Sequence, residues 1–240
     1  MTKYWCFLGL FALFNCSKKD VFGNPELIET TIELDFSQTL GGSKNDAFYS
    51  VKKTADGGYI AAGYSQSNDF DINFKTNESF DILVAKFSSN NTLEWQKTFG
   101  GSEDDRGAEI VQTLDGGFAV LGFSKSADRD VSANAGSQDF WLVKLSNNGT
   151  LVWEKNFGFS GGDYGTTLLE TQEGGLLITG VLDVSASGGQ GNARTTVVNH
   201  AGGDFWVLKL NRRGELEWSK YYGGSFTDTP LGIVKTTDNG

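Results

Sequence analysis

The chain has 240 residues, 38% hydrophobic and 21% charged, enough for one sizeable core. Its 30 acidic and 20 basic residues give a formal net charge of −10, which argues against a nucleic-acid or anionic-lipid partner and favours divalent cations or basic partners. With 32 Gly and only 2 Pro, the loops use the vocabulary of β-turns rather than of disordered stalks.

The chain opens with Lys3, an apolar run from Tyr4 to Phe14, and Cys16 in a polar flank. Such a run is shorter than the about 20 residues a membrane-spanning helix takes, and it suits the core of a signal peptide. "LFNC" resembles a bacterial lipoprotein signal, in which Cys16 would carry lipid and become the mature N-terminus; an ordinary signal peptide or an uncleaved anchor is the alternative. If it is a lipoprotein signal, Cys6 is discarded and no cysteine remains for a disulfide. Residues 1–15 are then the signal and 16–30 a tether, whose "SKKD" is similar to tethers of surface lipoproteins in the Bacteroidetes.

From residue 31 onward the chain repeats itself. "LEWQKTFGGSEDD" at Leu93 returns as "LVWEKNFGFSGGD" at Leu151 and "LEWSKYYGGSFTD" at Leu216, with a weaker "LDFSQTLGGSKND" at Leu34. Trp95, Trp153 and Trp218 follow one another at 58 and 65 residues, and Asp81, Asp139 and Asp204 take the same steps, with units starting near 41, 100, 158 and 223. In the second unit the apolar segments Ala108 to Thr113, Phe118 to Phe123, Phe140 to Leu145 and Thr150 to Phe157 have strand length and no helical period. The last alternates, which puts Leu151, Trp153, Lys155 and Phe157 on one face. "FAVLGF" and "FWLVKL" are nearly continuous and so predict strands covered on both faces. "LDGG" and "SNNGT" supply tight hairpins.

An all-β chain of four-stranded antiparallel meanders at this period predicts a β-propeller, with a β-solenoid or a sandwich as competitors. One strand before three complete units and one after them predict 14 strands, about three and a half blades of an incomplete ring. The final "TTDNG" aligns with "TADGG" at Thr54, so the expectation is a piece of a longer protein, or closure by another copy.

The phrase "KLNRRGELEWSKYYGG" resembles the blade ends of quinoprotein-type (PQQ-like) propellers, and the combined pattern is similar to propeller repeats of secreted and surface proteins of Bacteroidetes. That resemblance implies that Trp95, Trp153 and Trp218, with Phe36 as the divergent copy, dock each outer strand on the next blade. It implies little about function.

Recurrence itself argues against catalysis, because a catalytic group is needed once. Asp46, Asp105, Asp163 and Asp228 of the "GGSxxD" phrase are therefore expected to cap turns, and Lys86, Lys144 and Lys209, each alone in an apolar strand, to need an acidic or carbonyl partner. The loops after the second strands differ most between units, and two carry Asp-x-Asp, at Asp69/Asp71 and Asp128/Asp130, followed by Asn73 and Asn134. Those oxygens are a candidate Ca²⁺ site, although Phe74 and Phe80 replace the Gly and Glu of an EF-hand loop.

"GFSGG" at Gly158 matches a nucleophile elbow in letters only, lying between two strands with His200 as the chain's one histidine. "GGQGN" near Gly188 lacks the strand-to-helix setting of a phosphate loop. The sequence thus predicts a non-enzymatic, exported lipoprotein anchored at the bacterial outer membrane by lipid alone, with no cofactor beyond a possible Ca²⁺. Its loops would bind a protein or glycan of the cell envelope and no nucleic acid. The competing reading is a propeller enzyme, hydrolase or quinoprotein-like, whose active site lies in blades outside this chain.

Overall fold

Tight turns set the spacing of the strands. The hairpins joining first to second strands place Gly57, Gly116 and Gly174 at φ 85, 80 and 77°, and those joining third to fourth place Asn91, Gly149 and Gly214 at 64, 74 and 73°. Between them the computed structural model, which describes residues 37–187, 202–224 and 226–237, forms 12 strands. Three antiparallel sheets result, each a meander of four consecutive strands. The first holds β1 (Asp46–Lys53), β2 (Tyr59–Ser65), β3 (Asp81–Phe87) and β4 (Leu93–Phe99). The second holds β5 (Asp105–Gln112), β6 (Phe118–Ser124), β7 (Asp139–Leu145) and β8 (Leu151–Phe157). The third holds β9 (Tyr164–Glu170), β10 (Leu176–Asp183), β11 (Gly203–Leu210) and β12 (Leu216–Tyr222). Among the described residues helix is confined to two single 3-10 turns, at Phe70–Ile72 and Val184–Ala186.

The sheets stack through their faces, β5 packing on β1 to β3 and β9 on β5 to β7. One core lies between the first and second sheets, where Ile60, Ala62, Ile82 and Val84 meet Ile110, Val120, Trp141 and Val143. A second core lies between the second and third sheets, where Leu121, Phe140 and Leu142 meet Leu168, Ile178, Trp206 and Leu208. The middle sheet is thus covered on both sides, and β7 is buried along its whole length, which is why its sequence is a continuous apolar run.

Two expectations are corrected. Among the described residues there are 12 strands: the last of the expected 14 is absent, since residues 226–237 carry no strand and Pro230 has no N–H to give a ladder, and residues 37–40, the described end of the expected first strand, are not in a strand. The remainder of the expected first strand, with Phe36, lies outside the described residues, as do Cys16, the signal and tether segments, the "GGQGN" stretch and His200. The described residues do not close into a ring.

The second correction concerns the face of the fourth strand. Lys144 pairs with Trp153 but Leu145 with Leu151, so Val152 is an extra, bulged residue. The bulge turns Leu151 toward the first core while Trp153 and Phe157 join the second. The same register shift occurs beside Lys86 and Lys209.

Candidate functional site

The loops that differ between units and the "GGSxxD" turns share one end of the sheets, so this end is the candidate site. Its first turn, Gly41 to Lys44, presents four consecutive backbone N–H groups, each donating to a side-chain oxygen. Gly41 donates to Asp71 at 3.3 Å, Gly42 to Asp46 at 2.8 Å, Ser43 to Asp69 at 2.9 Å and Lys44 to the Ser67 hydroxyl at 3.0 Å. The second unit repeats the set: Gly100 donates to Asp130 at 3.2 Å, Gly101 to Asp105 at 2.7 Å, Ser102 to Asp128 at 2.8 Å and Glu103 to Ser126 at 3.0 Å.

The recurring aspartates therefore cap turns. Asp46 also accepts from the hydroxyls of Ser65 and Ser67, and Asp105 from those of Ser124 and Ser126. Asp228 accepts from Gly224 N–H at 2.8 Å. The third unit departs, because Leu182 and Val184 stand where the serines of the "SxS" triplet stand in the other two. Asp163 there relies on backbone N–H bonds from Phe159, at 2.7 Å, and Asp183, at 2.6 Å.

Asp69, Asp71, Asp128 and Asp130 occupy equivalent loops, but each spends an oxygen on a turn amide. Among the described residues no three His, Cys, Asp or Glu side chains gather at metal-binding spacing. The Asp-x-Asp pairs hold the turns. The "SxS" triplets were legible as a repeated motif beside the Asp-x-Asp pairs and were missed.

Burial sets the acid strengths here. Desolvation pushes Asp81 up to about 6, with the charge of Asp105 adding to it, against Lys75 at 3.6 Å and hydrogen bonds from Asn77 and Ser79. Desolvation likewise pushes Asp163 up to about 6, outweighing its two amide donors, with the charges of Asp139 and Asp183 adding to it. Asp105 and Asp139 are raised for the same reason. Asp46 goes the other way: burial raises it, but the combined hydrogen bonds from Gly42, Ser65 and Ser67 leave it below the usual carboxylate range.

At the opposite end of the sheets the recurring lysines find partners. Lys86 meets Asp56 at 2.9 Å and Glu94 at 3.1 Å, Lys144 meets Asp115 at 3.0 Å, and Lys209 meets Glu217 at 3.1 Å. The fourth-strand bulge places Glu94 and Glu217 beside their lysines; in the second unit that residue is Val152, which is exposed. The tryptophans sit at the sheet interfaces: the Trp95 ring lies against Gly149 and Phe118, and that of Trp153 against Gly214. Trp218 is exposed.

Arg106 and Glu109 have no like residue at the matching place in the other described units, although the Ser50 hydroxyl accepts from Ile110 N–H at 3.4 Å much as Glu109 does from Leu168. Arg106 lies over the rings of Phe80, at 3.9 Å, and Tyr64, at 4.9 Å, at the turn end. On the first strands of the sheets, Glu109 takes Lys52 at 2.7 Å on one oxygen and the Leu168 N–H at 2.9 Å on the other. Near it, Tyr49, Thr166, Thr167 and Leu231 line a hollow of about 300 Å³. Another of about 310 Å³ at the turn end is lined by Gly162, Tyr164, Asp183, Ser185 and Thr227. In the second hollow the Ser185 hydroxyl donates to the Asp183 carboxylate at 2.5 Å. No helix among the described residues is long and apolar enough to cross a membrane. No protein-family model matches the sequence, and no curated protein matches it.

Proposed function

We propose that the three sheets are blades of a β-propeller that serves as a binding or scaffold module, without catalysis, in an exported, lipid-anchored protein of the bacterial envelope. Support for the blade reading comes from the face-to-face stacking of three similar meanders, the first two each docking a fourth-strand tryptophan on the next. Anchoring through Cys16 rests on the sequence pattern alone.

The observation that carries the binding reading is the division of labour at the turn end. Recurring carboxylates are consumed in holding turns, while the loops at 66–80 and 125–138, and the one following Asp183, vary in length and sequence on that constant base. A rigid base with variable loops suits recognition of a protein or glycan.

The test replaces the exposed Phe70, Asn73, Phe74 and Thr76 by Gly or Ser, leaving Asp69, Asp71 and the buried Ile72 and Lys75 in place. The full chain should retain envelope proteins or glycans that the variant releases, with melting temperatures within about 3 °C of each other. Identical binding by both would remove the loops from the recognition surface. Cys16→Ser should release the chain from membranes, and a variant that still pellets with them after signal removal would sink the anchor.

A further inference from the structure

The stack has two unlike ends. At each internal interface a fourth-strand tryptophan covers the hairpin glycine of the next sheet so closely that a Cβ added to Gly149 would lie 2.8 Å from the Trp95 ring, and one added to Gly214 2.9 Å from that of Trp153. No side chain fits there without a shift. The third sheet repeats the donor half of this contact, since Trp218 holds the matching place and is 43% exposed, beside exposed Leu216 and Tyr222.

The first sheet does not repeat the acceptor half. Its hairpin has the same backbone, Asn91 donating to Ser88 O at 3.0 Å as Gly149 does to Ser146 O, with φ 64°. Yet Asn91 brings a Cβ and an amide to the place where a ring would lie. A second close approach differs too: Gly165 lies against Leu121 and Gly107 against the first sheet, whereas Phe48 takes that register position in β1.

We propose that the Trp218 face is a docking surface for a further four-stranded unit of the same kind, one with a left-handed glycine in the hairpin between its third and fourth strands. Asn91 and Phe48 bar the first sheet of a second copy from that place. The track of such a unit already begins on the molecule. Asp228 N–H donates to Gly203 O at 2.8 Å, as Asp105 does to Phe80 O and Asp163 to Gln138 O, and buried Pro230 accepts from Thr166 at 3.1 Å. Leu231 and Val234 beyond it are left uncovered. The inference rests on the observed sheet packing and not on the ring, the anchor or the recognition loops.

The test extends the full chain after Gly240 by a copy of residues 118–157, which completes a fourth unit because Asp228 to Gly240 aligns with Asp105 to Gly117. Amide hydrogen exchange across β12 should slow at least about tenfold, a change of about 1.4 kcal/mol, and the gain should vanish with Gly149→Asn in the appended copy. Unchanged exchange in the extended chain, or slowing that survives Gly149→Asn, overturns the proposal. Sedimentation of the unextended chain supplies an arm that does not depend on the extension folding. A monomer is expected, and a dimer that Trp218→Ala dissolves would make a second copy the occupant and overturn the proposal as well.

Discussion

A carboxylate at the turn end is held by what donates to it and weakened by what hides it, and the two effects set opposite pH dependences. Asp81 and Asp163, pushed up to about 6, bind protons more readily folded than unfolded. Their contribution is therefore fully present below about pH 4 and is lost as pH rises through 6. Asp46, Asp56 and Asp115 lie below the usual range, so the stability they confer is present above about pH 4 and is lost as pH falls. Urea midpoints should accordingly peak near pH 4, fall as pH rises through 6 and level off above about pH 7, with the Asp163 carboxyl carbon titrating near 6. A midpoint that climbs steadily to pH 8 would contradict the buried-acid account. The same reasoning bears on cations. With each Asp-x-Asp oxygen pair already serving a turn amide, millimolar Ca²⁺ should leave the melting temperature within about 1 °C of its value in chelator, whereas a 10 μM site would add roughly 2.7 kcal/mol. A clear rise would mean that the loops rearrange to gather the ion.

At the scale of the strand, the fourth-strand bulge decides which tryptophan face is buried and what the buried lysine meets. Trp153 packs into the second core over Gly214, so Trp153→Ala should cost about 3 kcal/mol, the low end for a truncated core aromatic because the ring is only partly buried. Trp218→Ala, at the same repeat position but exposed, should cost under about 1 kcal/mol. Equal costs in urea unfolding would show that the tryptophans do not act through docking. The strand order and the tryptophan period were legible because each hairpin needs residues of positive φ at a fixed place in the repeat. The bulge was not, since a single extra residue leaves the apolar letters alternating while it moves Leu151 and Trp153 to opposite faces. Nor was the use of Asp69 and Asp71 legible, because an acidic pair written for Ca²⁺ and one written for turn amides have the same spelling; the neighbouring Ser67 was the missing clue.

Across the whole molecule, recurrence explains the repeated contacts but not the residues that occur once, and these tie the units into one body. Glu109 is the clearest. It sits on the first strand of the middle sheet and reaches Lys52 on the sheet before it and the Leu168 amide on the sheet after it. The Lys52 contact is partly exposed, its side chains at 42% and 19%, and so contributes little, on the order of 0.5 kcal/mol. The Leu168 N–H is different: removing its acceptor leaves a partly buried backbone donor unpaired, which costs about 1 to 3 kcal/mol. Glu109→Ala should therefore destabilise the chain by about 2 kcal/mol, and Lys52→Ala by well under 1 kcal/mol. Glu109→Gln, which keeps an oxygen for Leu168, should fall near Lys52→Ala. Exchange of the Leu168 amide should speed up in Glu109→Ala alone. If Lys52→Ala and Glu109→Ala were equally costly, the three sheets would be joined through the surface ion pair and not through the amide.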